Sequence, residues 1–127
     1  MEKGKILLIE DDEKDAQWLS GLLQDEGYSV SRARDGKEGL TKAQEERYNL
    51  VILDTVLPDI KGEEACRLLK KKKRYRDVPV IALSIKDEVE DIEGAFIKGA
   101  DEYIIKPPRP EHLLKKVGEL LHLDRPR

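Results

Sequence analysis

The stretch from Leu50 to Gly62, Leu-Val-Ile-Leu-Asp-Thr-Val-Leu-Pro-Asp-Ile-Lys-Gly, limits the fold more than any other part of the chain. Leu50, Val51, Ile52 and Leu53 are apolar and consecutive. The run is too short for a helix and does not alternate, so it reads as a strand buried on both faces, as in a parallel sheet covered by helices. Asp54 follows at once. A charge is costly inside a core, which places Asp54 at the strand's carboxyl end, where open α/β sheets form their ligand crevices. Pro58 then breaks the strand, because it has no N–H to donate and it pushes Leu57 away from helical angles. A strand ending in a merely solvated aspartate fits this stretch equally well. The question is whether other residues converge on the same end of the sheet.

The same layout occurs at Ile6, Leu7, Leu8 and Ile9, followed by Glu10, Asp11 and Asp12. Between Glu13 and Glu26 a helical stripe of Trp18, Leu19, Leu22 and Leu23 is expected to pack on the sheet, Trp18 included, with Gly27 as its left-handed stop. Tyr28, Val30 and Ala33 alternate with polar residues, as in a strand near the sheet edge. Asp35 is suited to cap a second helix that turns Leu40 and Ala43 inward and ends near Arg47. A third helix, from about Glu63 to Lys72, buries Ala65, Cys66, Leu68 and Leu69. The basic run from Lys70 to Arg76 sits at that helix's C-terminus, where cations complement the dipole, so it reads as a solvated end and not as a nucleic-acid patch.

Val80 to Leu83 form a fourth strand ended by Ser84. Asp87 opens a helix with Val89, Ile92, Ala95 and Phe96 inward, closed by Gly99. Tyr103, Ile104 and Ile105 make a short fifth strand ending at Lys106 and Pro107. The last helix spans about Glu111 to Leu121. His112 and His122 lack partners at metal-ligand spacing and read as surface residues, and Cys66 reads as a small buried side chain.

A strand-helix unit repeated five times, with short connections, requires right-handed crossovers between parallel strands. The expected fold is therefore α/β: a three-layer sandwich with a five-stranded parallel sheet in the order 2-1-3-4-5 and five helices, the flavodoxin-like arrangement. At 127 residues the chain reads as one domain, with its core at about 5–121. Charged residues make up 40% of it, but both signs are mixed and the net charge is -3, which argues against a polyanion-binding or membrane-surface protein. A lone cysteine, no apolar run of membrane-spanning length and no signal-peptide pattern at the start point to a cytoplasmic protein.

In this strand order the first and third strands are neighbours, and their ends carry Glu10, Asp11 and Asp54. Carboxylates this close raise one another's pKa unless a cation lies between them, and all-oxygen ligands at a wet sheet edge suit Mg²⁺. The fourth and fifth strands end in Ser84, a hydroxyl, and Lys106, a point cation. A carboxylate nucleophile, a metal, a hydroxyl and an ammonium around one space are the parts that stabilise a phosphoryl group in transfer.

The chain resembles the receiver domain of bacterial two-component response regulators, including the chemotaxis receivers, from Lys5 to about Leu121. The resemblance rests on Ile-Leu-Leu-Ile-Glu-Asp-Asp-Glu, on the Leu50–Gly62 stretch, on Val-Pro-Val-Ile-Ala-Leu-Ser and on Gly-Ala-Asp-Glu-Tyr-Ile-Ile-Lys-Pro, in order and at strand ends. It implies that Asp54 accepts a phosphoryl group from a phosphohistidine on a sensor histidine kinase or phosphotransfer protein. Asp11 would bind Mg²⁺ directly and Glu10 through water, with Asp54 and the backbone carbonyl of Val56 as further ligands. Ser84 would hydrogen-bond the aspartyl phosphate and Lys106 would pair with it. Ser84 and Tyr103 would move together as the switch. Asp12 falls one place past the acidic pair and is not expected to be a ligand. The Lys106–Pro107 peptide bond is expected cis.

By the same resemblance the output is a phosphorylation-dependent change in the face made by the fourth helix, fifth strand and fifth helix, read by a downstream protein or effector domain. Homodimerisation on phosphorylation belongs to that expectation, and turnover catalysis does not. No DNA-binding effector fits within these residues, whether the receiver stands alone or comes from a longer regulator or hybrid kinase. Three positions depart from the family. Ile85 follows Ser84 where a small residue is usual, and its bulk is expected to slow uptake from small donors such as acetyl phosphate. Pro108 and Arg109 replace an aromatic and a small or acidic residue, which puts the start of the last helix in doubt.

Other classes fit less well. An aspartyl-nucleophile phosphatase favours a second Asp two residues on, where this chain has Val56. A flavin mononucleotide binder needs hydroxyls and bare amides after the first strand, and Glu10 to Glu13 would repel its phosphate. A phosphorylation-independent module would leave the full set of site residues without a use.

Overall fold

Each apolar run forms a strand in the computed structural model, which describes residues 3–85 and 99–122. The strands are β1 (Lys5–Ile9), β2 (Ser29–Ala33), β3 (Leu50–Asp54), β4 (Val80–Ser84) and β5 (Glu102–Ile105). They make one parallel sheet in the order β2-β1-β3-β4-β5, as expected, with β2 at an edge. The register sets Ile9 beside Leu53, Asp54 beside Leu83 and Ser84 beside Ile105, so the functional candidates leave the sheet at nearly one level.

Helices α1 (Glu13–Asp25), α2 (Gly36–Glu45), α3 (Gly62–Lys71) and a C-terminal helix (Pro110–His122) flank the sheet, with a 3₁₀ turn at Lys73–Tyr75. The helix expected to begin at Asp87 lies outside the described residues. Alternate strand residues feed two cores. Leu7, Ile9, Val51, Leu53, Val80 and Ala82 pack with Ala65, Cys66 and Leu69 of α3 and Ala43 of α2. Ile6, Leu8, Leu50, Ile52, Ile81 and Leu83 pack on the opposite face with Ala16, Leu19 and Leu23 of α1 and Leu113 and Val117 of the C-terminal helix. Both faces are covered, which is why these strands are unbroken apolar runs.

Local signals hold at the helix ends. Asp12 caps α1 by accepting from the Asp15 N–H at 2.9 Å, and Asp35 caps α2 by accepting from the Glu38 N–H at 2.8 Å. Gly27 ends α1 with φ 106°, a left-handed conformation that favours glycine.

Two expectations need correction. Trp18 does not pack on the sheet and is 45% exposed. The inward stripe of α1 is Ala16, Leu19 and Leu23, and one residue before Leu19 is about 100° around the helix from it. Nor is the basic run solvated throughout. Lys70 at its start is largely buried, its ammonium donating to the Val78 carbonyl. No helix among the described residues is long and apolar enough to cross a membrane.

Candidate functional site

Glu10 directly follows β1 and Asp54 is the last residue of β3, and both acidic side chains are buried. Register, not local sequence, brings them together, because β1 and β3 are adjacent and parallel. Asp11, exposed on the β1–α1 loop, completes the group: carboxylate oxygens of Glu10, Asp11 and Asp54 lie within 4.8 Å of one another. Lys106, after β5, reaches into this cluster. Its Nζ is 2.9 Å from Asp54 Oδ2, 3.2 Å from Glu10 Oε1 and 3.4 Å from Asp15 Oδ2. The Lys106–Pro107 bond is cis.

The electrostatics follow from crowding. Burial, and then the Asp54 charge, push the Glu10 carboxyl up to about 7, against a smaller lowering by Lys106. Burial disfavours the Lys106 ammonium, but its bonds and attraction to Asp54 and Glu10 outweigh that and raise its pKa. One ammonium thus faces two buried carboxylates, Glu10 and Asp54, and the more exposed Asp15. Hard oxygen donors with an excess of negative charge fit a divalent cation of the Mg²⁺ type.

The floor of the site is equally defined. Asp54 Oδ1 accepts from the Val56 N–H at 2.9 Å, which orients the carboxylate, and the Thr55 N–H donates to the Leu83 carbonyl at 2.9 Å. Gly62 permits this arrangement. A Cβ there would lie 2.4 Å from both the Asp54 carbonyl oxygen and Thr55 Cα, so only glycine lets α3 start so close to β3. Ser84 is fully buried at the end of β4, its hydroxyl 3.3 Å from the Ile85 carbonyl. Tyr103 sits opposite Ala82 in β5 and packs, partly buried, on the α3-side core. Val56 is exposed beside Asp54.

The structure thus brings Glu10, Asp11, Asp54 and Lys106 together, with Ser84 at the adjoining strand end and Tyr103 further back along β5. Ile85, 49% exposed, lines a cleft of about 270 Å³ with Trp18, Leu19, Asp15, Lys106, Pro107 and Pro108. Sequence reasoning missed Asp15, the third carboxylate on Lys106, and Arg32, which bonds the loop holding Glu10 and Asp11. It also missed Asp59, whose carboxylate joins the β3–α3 loop to the start of α2. A start of α1 at Glu13 puts Asp15 in the helix's first turn, beside the acidic strand end, and that was the one signal able to find it. The other two pairings depend on which strand ends are neighbours.

Residues 6–118 match the family model described as the response regulator receiver domain. The chain is 43% identical over 121 residues to the uncharacterized transcriptional regulatory protein YkoG of Bacillus subtilis, covering 95% of this chain and 52% of that protein. It is 37% identical over 117 residues to the response regulator ArlR of Staphylococcus saprophyticus, covering 92% and 52%. The chain spans about half the length of these relatives. Among solved structures, the chemotaxis protein CheY4 of Vibrio cholerae aligns with a TM-score of 0.86 at 33% identity, over 91% of this chain and 97% of that one. The receiver domain of the sensor histidine kinase PA1611 of Pseudomonas aeruginosa, described with a magnesium ion in its active site cleft, aligns with a TM-score of 0.87 at 28% identity, over 93% and 97%. With the family model spanning most of the chain, and Glu10, Asp11 and Asp54 clustered at the carboxyl ends of β1 and β3, this chain belongs to the response regulator receiver domain family of two-component systems.

Proposed function

We propose that this receiver domain is a phosphorylation-dependent switch whose acceptor is Asp54. The observation that carries the reading is the Lys106 ammonium 2.9 Å from a buried Asp54 carboxylate, with Glu10 and Asp11 in the same cluster. An Asp54 oxygen attacks the phosphorus of a phosphohistidine on a sensor histidine kinase or phosphotransfer protein. The P–N bond breaks, the imidazole leaves and takes up a proton, and an aspartyl phosphate remains. Glu10, Asp11 and Asp54, with the Val56 backbone carbonyl, would hold Mg²⁺. Bound Mg²⁺ supplies charge neutralisation at the phosphoryl oxygens. Lys106 exchanges one carboxylate partner for the phosphate, and the Ser84 hydroxyl turns from the Ile85 carbonyl to donate to it.

That change of partner at Ser84, with a move of Tyr103 on the neighbouring strand, shifts a pre-existing equilibrium of the surface around β5 and the C-terminal helix. A downstream protein or effector domain in the cytoplasm reads the result, with homodimerisation as one form of output. The domain acts as a regulatory phospho-acceptor and not as a turnover enzyme.

Incubation with Mg²⁺ and acetyl phosphate, followed by intact mass, tests this. One phosphoryl group is expected on the parent and none on Asp54→Asn; equal labelling of both would move the acceptor elsewhere. Ile85→Ala is expected to label faster than the parent, because Ile85 stands in the cleft beside Lys106.

A further inference from the structure

Arg32, on the edge strand β2, makes two contacts with the β1–α1 loop and a third with the first residue of α1. Its Nε donates to the Glu10 carbonyl at 3.0 Å, its Nη2 to the Asp11 carbonyl at 3.1 Å and its Nη1 to Glu13 Oε1 at 2.8 Å. The side chain is only 17% exposed although it carries a full charge. The carbonyls it holds belong to the two acidic residues of the β1 end, and the carboxylate belongs to the first residue of α1. A guanidinium is planar, so three contacts from one fork fix the loop's position and its rotation, which a flexible ammonium does not.

The loop's own bonds do not supply this. The Asp12 N–H donates to Glu10 Oε2 at 3.2 Å and the Glu10 N–H continues the ladder to the Ala33 carbonyl at 3.0 Å. Neither engages the Glu10 or Asp11 carbonyl. The Asp11 side chain is exposed, so its aim at Asp54 depends on the backbone that carries it.

We infer that Arg32 is a positioning residue for Mg²⁺ binding, its guanidinium holding the Glu10–Asp11 backbone so that both carboxylates converge with Asp54. The inference rests on the metal-assisted acceptor role proposed above. Groups that orient metal ligands from behind commonly change metal affinity by about 10–100-fold when removed. Among the described residues the Arg32 guanidinium bonds Glu10, Asp11 and Glu13 and not Asp54, so its loss is expected to be overcome by more metal.

Mg²⁺ titration of the parent, Arg32→Gln, Arg32→Lys and Glu13→Gln, followed by calorimetry or Trp18 fluorescence, tests the inference, with thermal unfolding of each protein recorded alongside. Arg32→Gln is expected to bind Mg²⁺ about 10–100-fold more weakly, and its labelling by acetyl phosphate is expected to approach the parent's rate at saturating Mg²⁺. Arg32→Lys is expected to keep most of the parent's thermal stability through Glu13 and still bind Mg²⁺ several-fold more weakly. Glu13→Gln, which leaves both carbonyl contacts in place, is expected to bind within about 2-fold of the parent, on the same reasoning.

Parent-like Mg²⁺ affinity in Arg32→Gln, or in Arg32→Lys should Arg32→Gln fail to fold, overturns the inference and leaves Arg32 a stabiliser of the edge strand. Weakened binding in Glu13→Gln equal to that in Arg32→Gln overturns it as well. A parent that binds no Mg²⁺ and takes no label overturns the acceptor role itself.

Discussion

Lys106 is the residue on which the charge balance of the site turns. Its ammonium faces Asp54, Glu10 and Asp15, and two of these carboxylates are buried. Removing one partner from a buried ionic group leaves uncompensated charge, a change that commonly costs about 3–5 kcal/mol. Glu10 lowers that cost by taking up a proton, since its carboxyl already stands near 7. Lys106→Met is therefore expected to lose about 3 kcal/mol at pH 8 without metal, at the low end of that range. A cation bound among the carboxylates replaces the missing ammonium, so saturating Mg²⁺ should raise the Tm of the variant more than that of the parent. Equal shifts in the two proteins would contradict this account of the site.

Among the elements, α2 shows how the site loop is tied to the rest of the fold. Its first N–H groups have no helical partner, and two aspartates from different places share them. Asp35 takes the Glu38 N–H from within the chain's local sequence. Asp59, from the β3–α3 loop, takes the Gly36 N–H at 2.9 Å and the Lys37 N–H at 2.8 Å, and also the N–H of Ile60 at 2.8 Å. Burial alone would raise the Asp59 carboxyl, but these backbone donors outweigh it and hold its pKa below the usual 3.8. A depressed carboxylate pKa contributes stability that is present above about 3.8 and lost as the pH falls through the lower folded value. Asp59→Ala is expected to cost about 1 kcal/mol at pH 7, the usual cost of losing a helix-end acceptor. The difference from the parent should shrink below pH 4 as the parent's own carboxylate protonates. Urea unfolding of both proteins at pH 7 and at pH 3 measures it. A gap that stays constant across that range would remove the ionised carboxylate from the explanation.

At the scale of the whole molecule, the two cores share one sheet as their common wall. Ile52 faces one core and Val51 and Leu53 the other, so opening either face disturbs strands that the opposite face needs. The domain is therefore expected to unfold as a unit. Cys66 on α3 and Trp18 on α1 report from opposite faces. Cys66 is 1% exposed, and burial pushes its thiol up to about 11, so a thiol reagent at pH 8 meets it only through unfolding. Its labelling and the Trp18 fluorescence change should share one midpoint in urea. Labelling well before the fluorescence change would show that α3 opens independently.

The elements themselves were legible in the chain because burial on both faces leaves continuous apolar runs, and because caps such as Asp35 and stops such as Gly27 act on neighbours a few residues away. The placement of Asp54, Glu10, Asp11, Ser84 and Lys106 at strand ends was legible for the same reason: each follows or closes such a run. What local pattern does not encode is the partner of a side chain across the sheet. The bond from Arg32 to Glu10 spans 22 residues, that from Asp59 to Gly36 spans 23 and that from Lys106 to Glu10 spans 96. Each forms only after strand order and register have put separate loops side by side. The outward face of Trp18 was decided in the same way, by which stripe of α1 the sheet accepted. The amino-acid order by itself determined which segments are strands and which chemistry ends them; tertiary packing alone decided which of those ends share charge, because a hydrogen bond or ion pair acts over a few ångströms of space and not along the chain.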